Sequence, residues 1–281
     1  MNHVMGAQWT RCAGPLALAL VGGVVVAACG GAPPEHPKGP LSSATQLWIA
    51  PRNVVASLAR DATIRRELTE IRLLEIVLPG QTAFPGIGAT TAWSLKSLPA
   101  IRDALPTQGA APPVEAIIYD NEAWPATPLS EAVSPVASEK EAARLIEGSG
   151  KLFVSTPGLD LVSLQHSLSG PNWQKFLQTG WIGASARLAD ILVIQAQSYE
   201  QDPAVYSKFV AAAVRQARRA NPKILVIAGL TSTRGVTPAL AASVVRCVTL
   251  TARLVNGYFL NVPQPSLAGL ALQAAAKARA A

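Results

Sequence analysis

The feature that most constrains this chain is a regular alternation of short apolar segments with longer segments of helical spacing, from residue 46 to the end. The apolar segments are continuous, which is typical of parallel strands covered on both faces, and helical segments of roughly 10 to 18 residues separate them. Clear strand segments are residues 46–50, 72–78, 114–119, 151–155, 190–197, 223–229 and 256–261, and residues 90–95 (TTAWSL) are a further candidate. The pattern predicts a (β/α)8 barrel of the TIM type, with a seven-stranded or distorted barrel as the alternative.

Local signals fix parts of this pattern. Asp202 followed by Pro203 predicts a helix start, and Ser138 with Glu141 three residues later has the spacing of a capping box. Glu75 interrupts the apolar segment RLLEIVL. It is either a buried ion-pair partner or a residue that points outward.

Size and charge exclude some functions. The chain has 281 residues, of which 49% are hydrophobic, enough for one large core. The net charge is +7, but basic residues do not interleave with aromatic ones, and Arg215, Arg218 and Arg219 lie together on a predicted helix face. We therefore expect no nucleic-acid partner.

The N-terminus has the organisation of a bacterial export signal. Arg11 precedes an apolar stretch, residues 15–28, that is shorter than a typical transmembrane helix. Small residues then precede Cys29, which resembles a lipobox, in which the cysteine is lipidated and becomes the mature N-terminus. This predicts a signal peptide over residues 1–28, a flexible linker rich in Gly, Pro and Ser over 29–44, and the barrel over 45–281. An ordinary secretory signal with an incidental cysteine is the alternative.

Cysteine usage agrees with this organisation. Cys12 leaves with the signal and Cys29 carries lipid, so Cys247 is alone and the mature domain has no intramolecular disulfide. We expect an extracytoplasmic protein held by its N-terminal lipid on the bacterial cell membrane.

Polar residues collect where the predicted strands end, which is the functional end of such a barrel. Asp120 and Glu122 are two residues apart after the strand segment 114–119, so their side chains share one side. We predict a site in which these two residues are joined by Trp124, Gln195, Gln197, Tyr199, Glu200 and Asn261.

A close pair of carboxylates is suited to acid–base chemistry, because mutual repulsion raises the pKa of one of them. The alternative is structural, with Asp120 bonded to a neighbouring strand and Glu122 exposed at the rim. Only His36 and His166 follow the signal, and no ligand spacing is present, so we expect neither a metal nor a cofactor.

The run Asp120-Asn-Glu-Ala-Trp-Pro125 resembles the end of the Asp-x-x-Asp-x-Asp-x-Glu signature of chitinase-type glycoside hydrolases, which are barrel enzymes. The run from Gln197 to Glu200 is similar to their Met-x-Tyr-Asp element. The resemblance implies that Glu122 is the general acid, while Asp120 and Tyr199 stabilise an intermediate formed by the substrate's acetamido group. The run from Tyr119 to Pro128 also resembles the Tyr-Asp-x-Glu-x-Trp-x-x-Thr-Pro run of actinobacterial lipoproteins, to which no activity is assigned.

Together these features predict a membrane-anchored, glycoside-hydrolase-like protein. Its partner would be a carbohydrate polymer, either a cell-wall or an environmental polysaccharide, on which it acts or which it recognises. A non-catalytic glycan-binding lipoprotein and a structural surface lipoprotein are the alternatives.

The lipidation site gives a direct prediction. The full chain, expressed in a bacterial host fed with labelled palmitate, should incorporate label, and Cys29→Ser should abolish incorporation because the acylated sulfur is lost. Cys247→Ser is the matched control and should keep the label. Incorporation that survives Cys29→Ser would contradict lipidation at this residue.

Overall fold

The structure is a computed structural model that describes residues 46–105, 113–165, 167–230, 237–261 and 264–280. The predicted signal peptide, Cys29, and the linker over residues 29–44 lie outside the described residues. No helix in the described ranges is both long and apolar enough to cross a membrane.

Parallel strands pair in chain order and close into a barrel, which confirms the predicted (β/α)8 fold. In the described part of the chain there are eight: β1 (Leu47–Pro51), β2 (Arg72–Ile76), β3 (Thr90–Leu95), β4 (Ala116–Tyr119), β5 (Leu152–Ser155), β6 (Ile191–Ile194), β7 (Leu225–Leu230) and β8 (Gly257–Leu260). The segment TTAWSL is β3, so the seven-stranded alternative is wrong. The seam between β8 and β1 needs a glycine, because a Cβ atom on Gly257 would lie 1.6 Å from the carbonyl oxygen of Leu47.

Helices follow the strands and cover the barrel. They are α1 (Arg52–Leu58), α2 (Ala62–Glu70), α3 (Leu98–Ala104), α4 (Leu129–Val133), α5 (Pro135–Gly148), α6 (Asn172–Gln178), α7 (Trp181–Leu188), α8 (Pro203–Ala220), α9 (Pro238–Thr251) and α10 (Pro265–Ala280). Short 3₁₀ helices span Leu159–Leu164 and Gln197–Tyr199. Asp202 caps α8 as predicted, accepting hydrogen bonds from two backbone N–H groups. The capping box at Ser138 is wrong, because α5 begins at Pro135 and the Ser138 hydroxyl donates to the carbonyl of Ser134.

Alternate strand residues divide between two apolar layers. Residues such as Ile49, Ile118 and Val193 fill the inside of the barrel, whereas their sequence neighbours, among them Trp48 and Ile117, pack between barrel and helices. This division follows from the two-residue period of a strand. Because all the strands are parallel, their last inward-facing residues lie together at the carboxyl end of the barrel.

Both predicted alternatives hold for Glu75. It points outward from β2, away from the barrel interior, and it is a buried ion-pair partner. Its carboxylate lies 3.1 Å from the Arg52 guanidinium and accepts the N–H of Phe84 at 2.8 and 3.1 Å. Arg52 also donates to the carbonyl of Thr82. These bonds fasten the connection between β2 and β3 beside the barrel.

A buried polar cluster lies behind β4 and β5, between the barrel and the helices. Glu139 on α5 is 1% exposed, and it accepts hydrogen bonds from Ser155 at 2.8 Å and from Ser185. Its second oxygen has no partner among the described residues. Burial therefore raises the pKa of Glu139 to about 7, because ionisation would place a charge where water does not reach.

This raised pKa predicts a pH-dependent stability. Between the ordinary value of 4.5 and about 7, the unfolded chain loses the Glu139 proton while the folded chain keeps it, so the free energy of unfolding falls as pH rises. Glu139→Gln removes this loss, and its stability relative to wild type should therefore increase across that window by on the order of 3 kcal/mol. Urea unfolding at several pH values measures the difference.

The matched control is Glu147→Gln, which changes the same charge at an exposed position on α5. It measures the general effect of replacing a carboxylate on α5, which is subtracted from the effect of Glu139→Gln. A constant difference between Glu139→Gln and wild type would show that Glu139 is already ionised at pH 5.

Candidate functional site

Side chains alternate between inward and outward along each strand, and this alternation continues beyond the apolar interior. At the carboxyl end of the barrel it places polar side chains in one layer. Ile118 faces the interior, so Asp120 two residues later does too, and Gln195 follows Val193 in the same way. These residues surround a cavity of about 190 Å³. Its lining residues are Ser94, Ile118, Asp120, Glu122, Trp124, Thr156, Val193, Gln195, Gln197, Gly229, Leu230, Phe259 and Asn261.

Two carboxyl groups are held together on one side of the cavity. The side-chain amide of Gln195 donates to Glu122 Oε1 at 2.7 Å and lies 3.5 Å from Asp120 Oδ1. The hydroxyl of Thr156 donates to the same Asp120 oxygen at 2.8 Å, so the Gln195 nitrogen and the Thr156 hydroxyl hold the two carboxyl groups near one another. Two neighbouring carboxyl groups ionise together at a cost, which favours a proton on one of them.

The surroundings decide which carboxyl group keeps this proton. Burial, followed by the charge of Asp120, raises the pKa of Glu122 to about 7, although the hydrogen bond from Gln195 opposes the shift. Burial also raises the pKa of Asp120, but the hydrogen bond from Thr156 and the charge of Lys96 favour its ionised form. Of the two groups, Glu122 therefore keeps a proton more readily near neutral pH.

The connection after β5 positions the backbone around Glu122. The N–H of Gly158 donates to the carbonyl of Asn121 at 2.7 Å, and Asp160 accepts the N–H of Ala123 at 3.1 Å. A Cβ atom on Gly158 would lie only 2.8 Å from Glu122 Cγ and 2.5 Å from an oxygen of Asp160. A glycine is required at residue 158 because the two loops approach so closely.

Trp124 and Lys96 form the rim of the site. The Lys96 ammonium lies 3.6 Å from the centre of the Trp124 ring, which is a cation–π contact. The indole N–H donates to the Thr127 hydroxyl, and this hydroxyl donates to the Lys96 carbonyl. The loops after β3 and β4 are joined by these contacts.

The structure brings together six of the eight predicted site residues. Those that line the cavity are Asp120, Glu122, Trp124, Gln195, Gln197 and Asn261. Tyr199 packs on Phe209 with ring centres 6.1 Å apart, and its hydroxyl accepts the Trp173 N–H. Glu200 is buried, and its carbonyl accepts a bond from Ser243. These two residues are not among the cavity-lining residues.

The alternation stops after β6, which explains the different positions of Tyr199 and Glu200. The N–H of Ala196 turns back to the carbonyl of Ile194, and a 3₁₀ helix follows. Side chains beyond this turn no longer follow the strand period. Conversely, Ser94 and Gly229 lie in the lining where continued alternation would have placed them, and the sequence-based prediction missed both.

The described residues contain no group of three or more His, Cys, Asp and Glu side chains that is arranged to hold a metal ion.

Comparison with known proteins leaves the assignment at the level of the fold. The sequence matches no protein-family model, and no curated protein sequence matches it. Similar solved structures include triosephosphate isomerase from Bartonella henselae, at 10% identity and a TM-score of 0.45, covering 84% of this chain and 100% of that chain.

Two fructose-1,6-bisphosphate aldolases are also similar. A Schiff-base-forming aldolase has 12% identity and a TM-score of 0.46, covering 83% of this chain and 94% of its own. An archaeal aldolase has 14% identity and a TM-score of 0.43, covering 85% and 92%. At such identities no activity is transferred.

The predicted resemblance to chitinase-type glycoside hydrolases is wrong. No family model supports the resemblance. The site agrees with this correction. The two earlier acidic positions of that signature fall on Ile118, which is part of the apolar interior, and on Glu115, whose carboxylate binds Thr91 at the opposite end of β3. Tyr199 does not join the carboxyl pair.

Proposed function

We propose that the barrel carries out general acid–base chemistry on a small, uncharged carbohydrate, with Glu122 as the acid. The observation that carries the proposal is the pair of Asp120 and Glu122, held by hydrogen bonds from Thr156 and Gln195 and largely buried, in which the pKa of Glu122 is raised to about 7. An acid with a pKa near the working pH is both protonated and able to transfer its proton.

The proton balance follows from the hydrogen bonds. Glu122 donates its proton to an oxygen of the ligand and becomes a carboxylate. Gln195 already donates to Glu122 Oε1 at 2.7 Å, so it stabilises the charge that develops. Asp120 is held by Thr156, and its negative charge keeps the proton on Glu122 before transfer. Asp120 forms no covalent bond to a carbon atom of the ligand. The bond between the protonated oxygen and the anomeric carbon breaks, water adds to that carbon, and the proton that this water releases restores Glu122.

Asp120 does not take the place of the second carboxylate of the usual two-carboxylate glycosidase in our proposal. In those enzymes the second carboxylate attacks the sugar or activates a water, and the two groups stand about 5–5.5 Å apart or more to leave space for this. Here the Gln195 nitrogen contacts both groups, at 2.7 Å from Glu122 Oε1 and 3.5 Å from Asp120 Oδ1. Asp120 therefore serves in our proposal as the partner that tunes Glu122, and not as a nucleophile.

Cavity size and lining support a single ring as the ligand. A volume of about 190 Å³ is below the roughly 300–1,000 Å³ of pockets for drug-sized ligands. Ile118, Val193 and Phe259 supply an apolar floor, and the polar groups stand around it. Sugar rings combine apolar faces with polar edges, so one terminal residue of a polysaccharide fits this description better than an internal stretch.

The charge balance supports an uncharged ligand. Among the residues that the structure describes, Asp120, Glu122 and Asp160 are acidic groups at the site, and the charge of Lys96 acts on both members of the pair. An added phosphate or carboxylate would meet this excess of acidic groups and would be repelled. We also propose, from the N-terminal sequence, that lipid on Cys29 holds the barrel on the outer face of the membrane.

The test is turnover by the full chain in detergent micelles. Reducing-sugar release from a panel of oligosaccharides and aryl glycosides should be measurable for wild type and should fall about 10²- to 10⁴-fold in Glu122→Gln, because the transferable proton is lost. The rate should also decline as pH rises through about 7, since deprotonated Glu122 cannot act as an acid.

Glu147→Gln is the control, since it makes the same chemical change at an exposed position on α5. Sugar binding without turnover in wild type would favour the non-catalytic glycan-binding function. Equal turnover by wild type and Glu122→Gln would remove Glu122 from the acid role.

A further inference from the structure

The orientation of the Gln195 amide is fixed by its partners. Its nitrogen donates to Glu122 Oε1 at 2.7 Å and to the Thr156 carbonyl at 3.1 Å, and it lies 3.5 Å from Asp120 Oδ1. All three contacts are acceptors, so a flipped amide would direct its oxygen at other oxygens. The Gln195 oxygen must therefore face away from the carboxyl pair.

This orientation determines that of Gln197. The Gln197 nitrogen lies 3.5 Å from the Gln195 oxygen, which is an acceptor, so the nitrogen must occupy that side. The Gln197 oxygen consequently points the other way. It is buried, and no group in the described ranges donates a hydrogen bond to it. Buried carbonyl oxygens are nearly always bonded, so the donor for this one comes from outside the described residues.

Gly229 makes room for this oxygen. An added Cβ at Gly229 would lie 2.6 Å from it, well inside contact distance. The carbonyl of Gly229 accepts a hydrogen bond from the Tyr206 hydroxyl at 3.1 Å, which holds the backbone of β7 in place from the side of α8. Gly229 and Gln197 both line the cavity. On β7, the inward position at the polar layer is thus filled by the amide of Gln197.

We propose that Gln197 selects the ligand by accepting a hydrogen bond from one of its hydroxyl groups through the buried amide oxygen above Gly229. The inference rests on the proposed function and narrows its substrate class. The ligand must receive a proton from Glu122 and offer a hydroxyl donor beside β7, three strands around the barrel from β4. A ring that has only ether or carbonyl oxygens on that side leaves the Gln197 oxygen unpaired and binds less tightly.

Binding, measured separately from turnover, tests the inference. The probes are D-glucose, D-galactose and their monodeoxy analogues, titrated into the full chain in micelles and followed by calorimetry. In wild type, one deoxy analogue should bind about tenfold more weakly than its parent sugar, because it lacks the donor for Gln197. Gln197→Met keeps the side-chain length but removes the acceptor, and it should bind the parent and that analogue equally.

A second variant and a control complete the test. Gly229→Ala should have the same effect as Gln197→Met, because its methyl group displaces the amide, and thermal unfolding establishes that each variant is folded. Gln178→Met, at an exposed position on α6, should retain the wild-type difference between parent and analogue.

The outcomes separate the two proposals. A difference that Gln197→Met removes supports the inference even if no sugar is turned over. Turnover without such a difference overturns the inference and leaves the function of Glu122 standing. No binding of any probe by wild type also overturns it.

Discussion

Closure of the barrel is the constraint from which the site follows. Short parallel strands that close on themselves must direct every second side chain inward, and the seam between β8 and β1 is possible because Gly257 has no side chain to meet Leu47. Apolar residues fill the lower layers of the interior. Where the sequence changes to Asp120, Thr156 and Gln195, the same alternation produces a polar layer that is partly removed from water.

Removal from water then gives the polar layer its chemistry. Two carboxyl groups in contact cannot both ionise at low cost, and burial makes the pKa of each one rise. Thr156 and Gln195 make the pair asymmetric, since they donate to different carboxyl groups. Burial also raises the pKa of Glu139, which lies between the barrel and the helices. That carboxyl group does not line the cavity, so its raised pKa affects the stability of the fold and not the site.

Much of this arrangement could be predicted from sequence, because it depends on local period. Continuous apolar runs identified the strands, and two-residue spacing placed Asp120 and Gln195 on the inside. Tyr199 and Glu200 could not be placed in the same way, because the chain leaves the strand at Ala196, a change set by backbone hydrogen bonds and not by residue type.

Contacts between distant segments had weaker signals in the sequence. Gly158 is required by the approach of Glu122 from another strand, and nothing in its own sequence neighbourhood indicates this. Glu75 could be recognised as unusual inside an apolar run, but its bond to the backbone of Phe84 depends on how the connection after β2 folds back. The motif resemblance was misleading because two short runs of similar residues do not establish the interior around them.

The central claim is that burial and Asp120 keep Glu122 protonated near neutral pH. Carboxyl carbon-13 NMR of the full chain measures this directly, with the Glu122 signal identified by its loss in Glu122→Gln. We expect Glu122 to titrate near a pKa of about 7 and to move toward its ordinary value when Asp120→Asn removes the neighbouring charge. A Glu122 signal that titrates at 4.5 in both proteins would contradict the account.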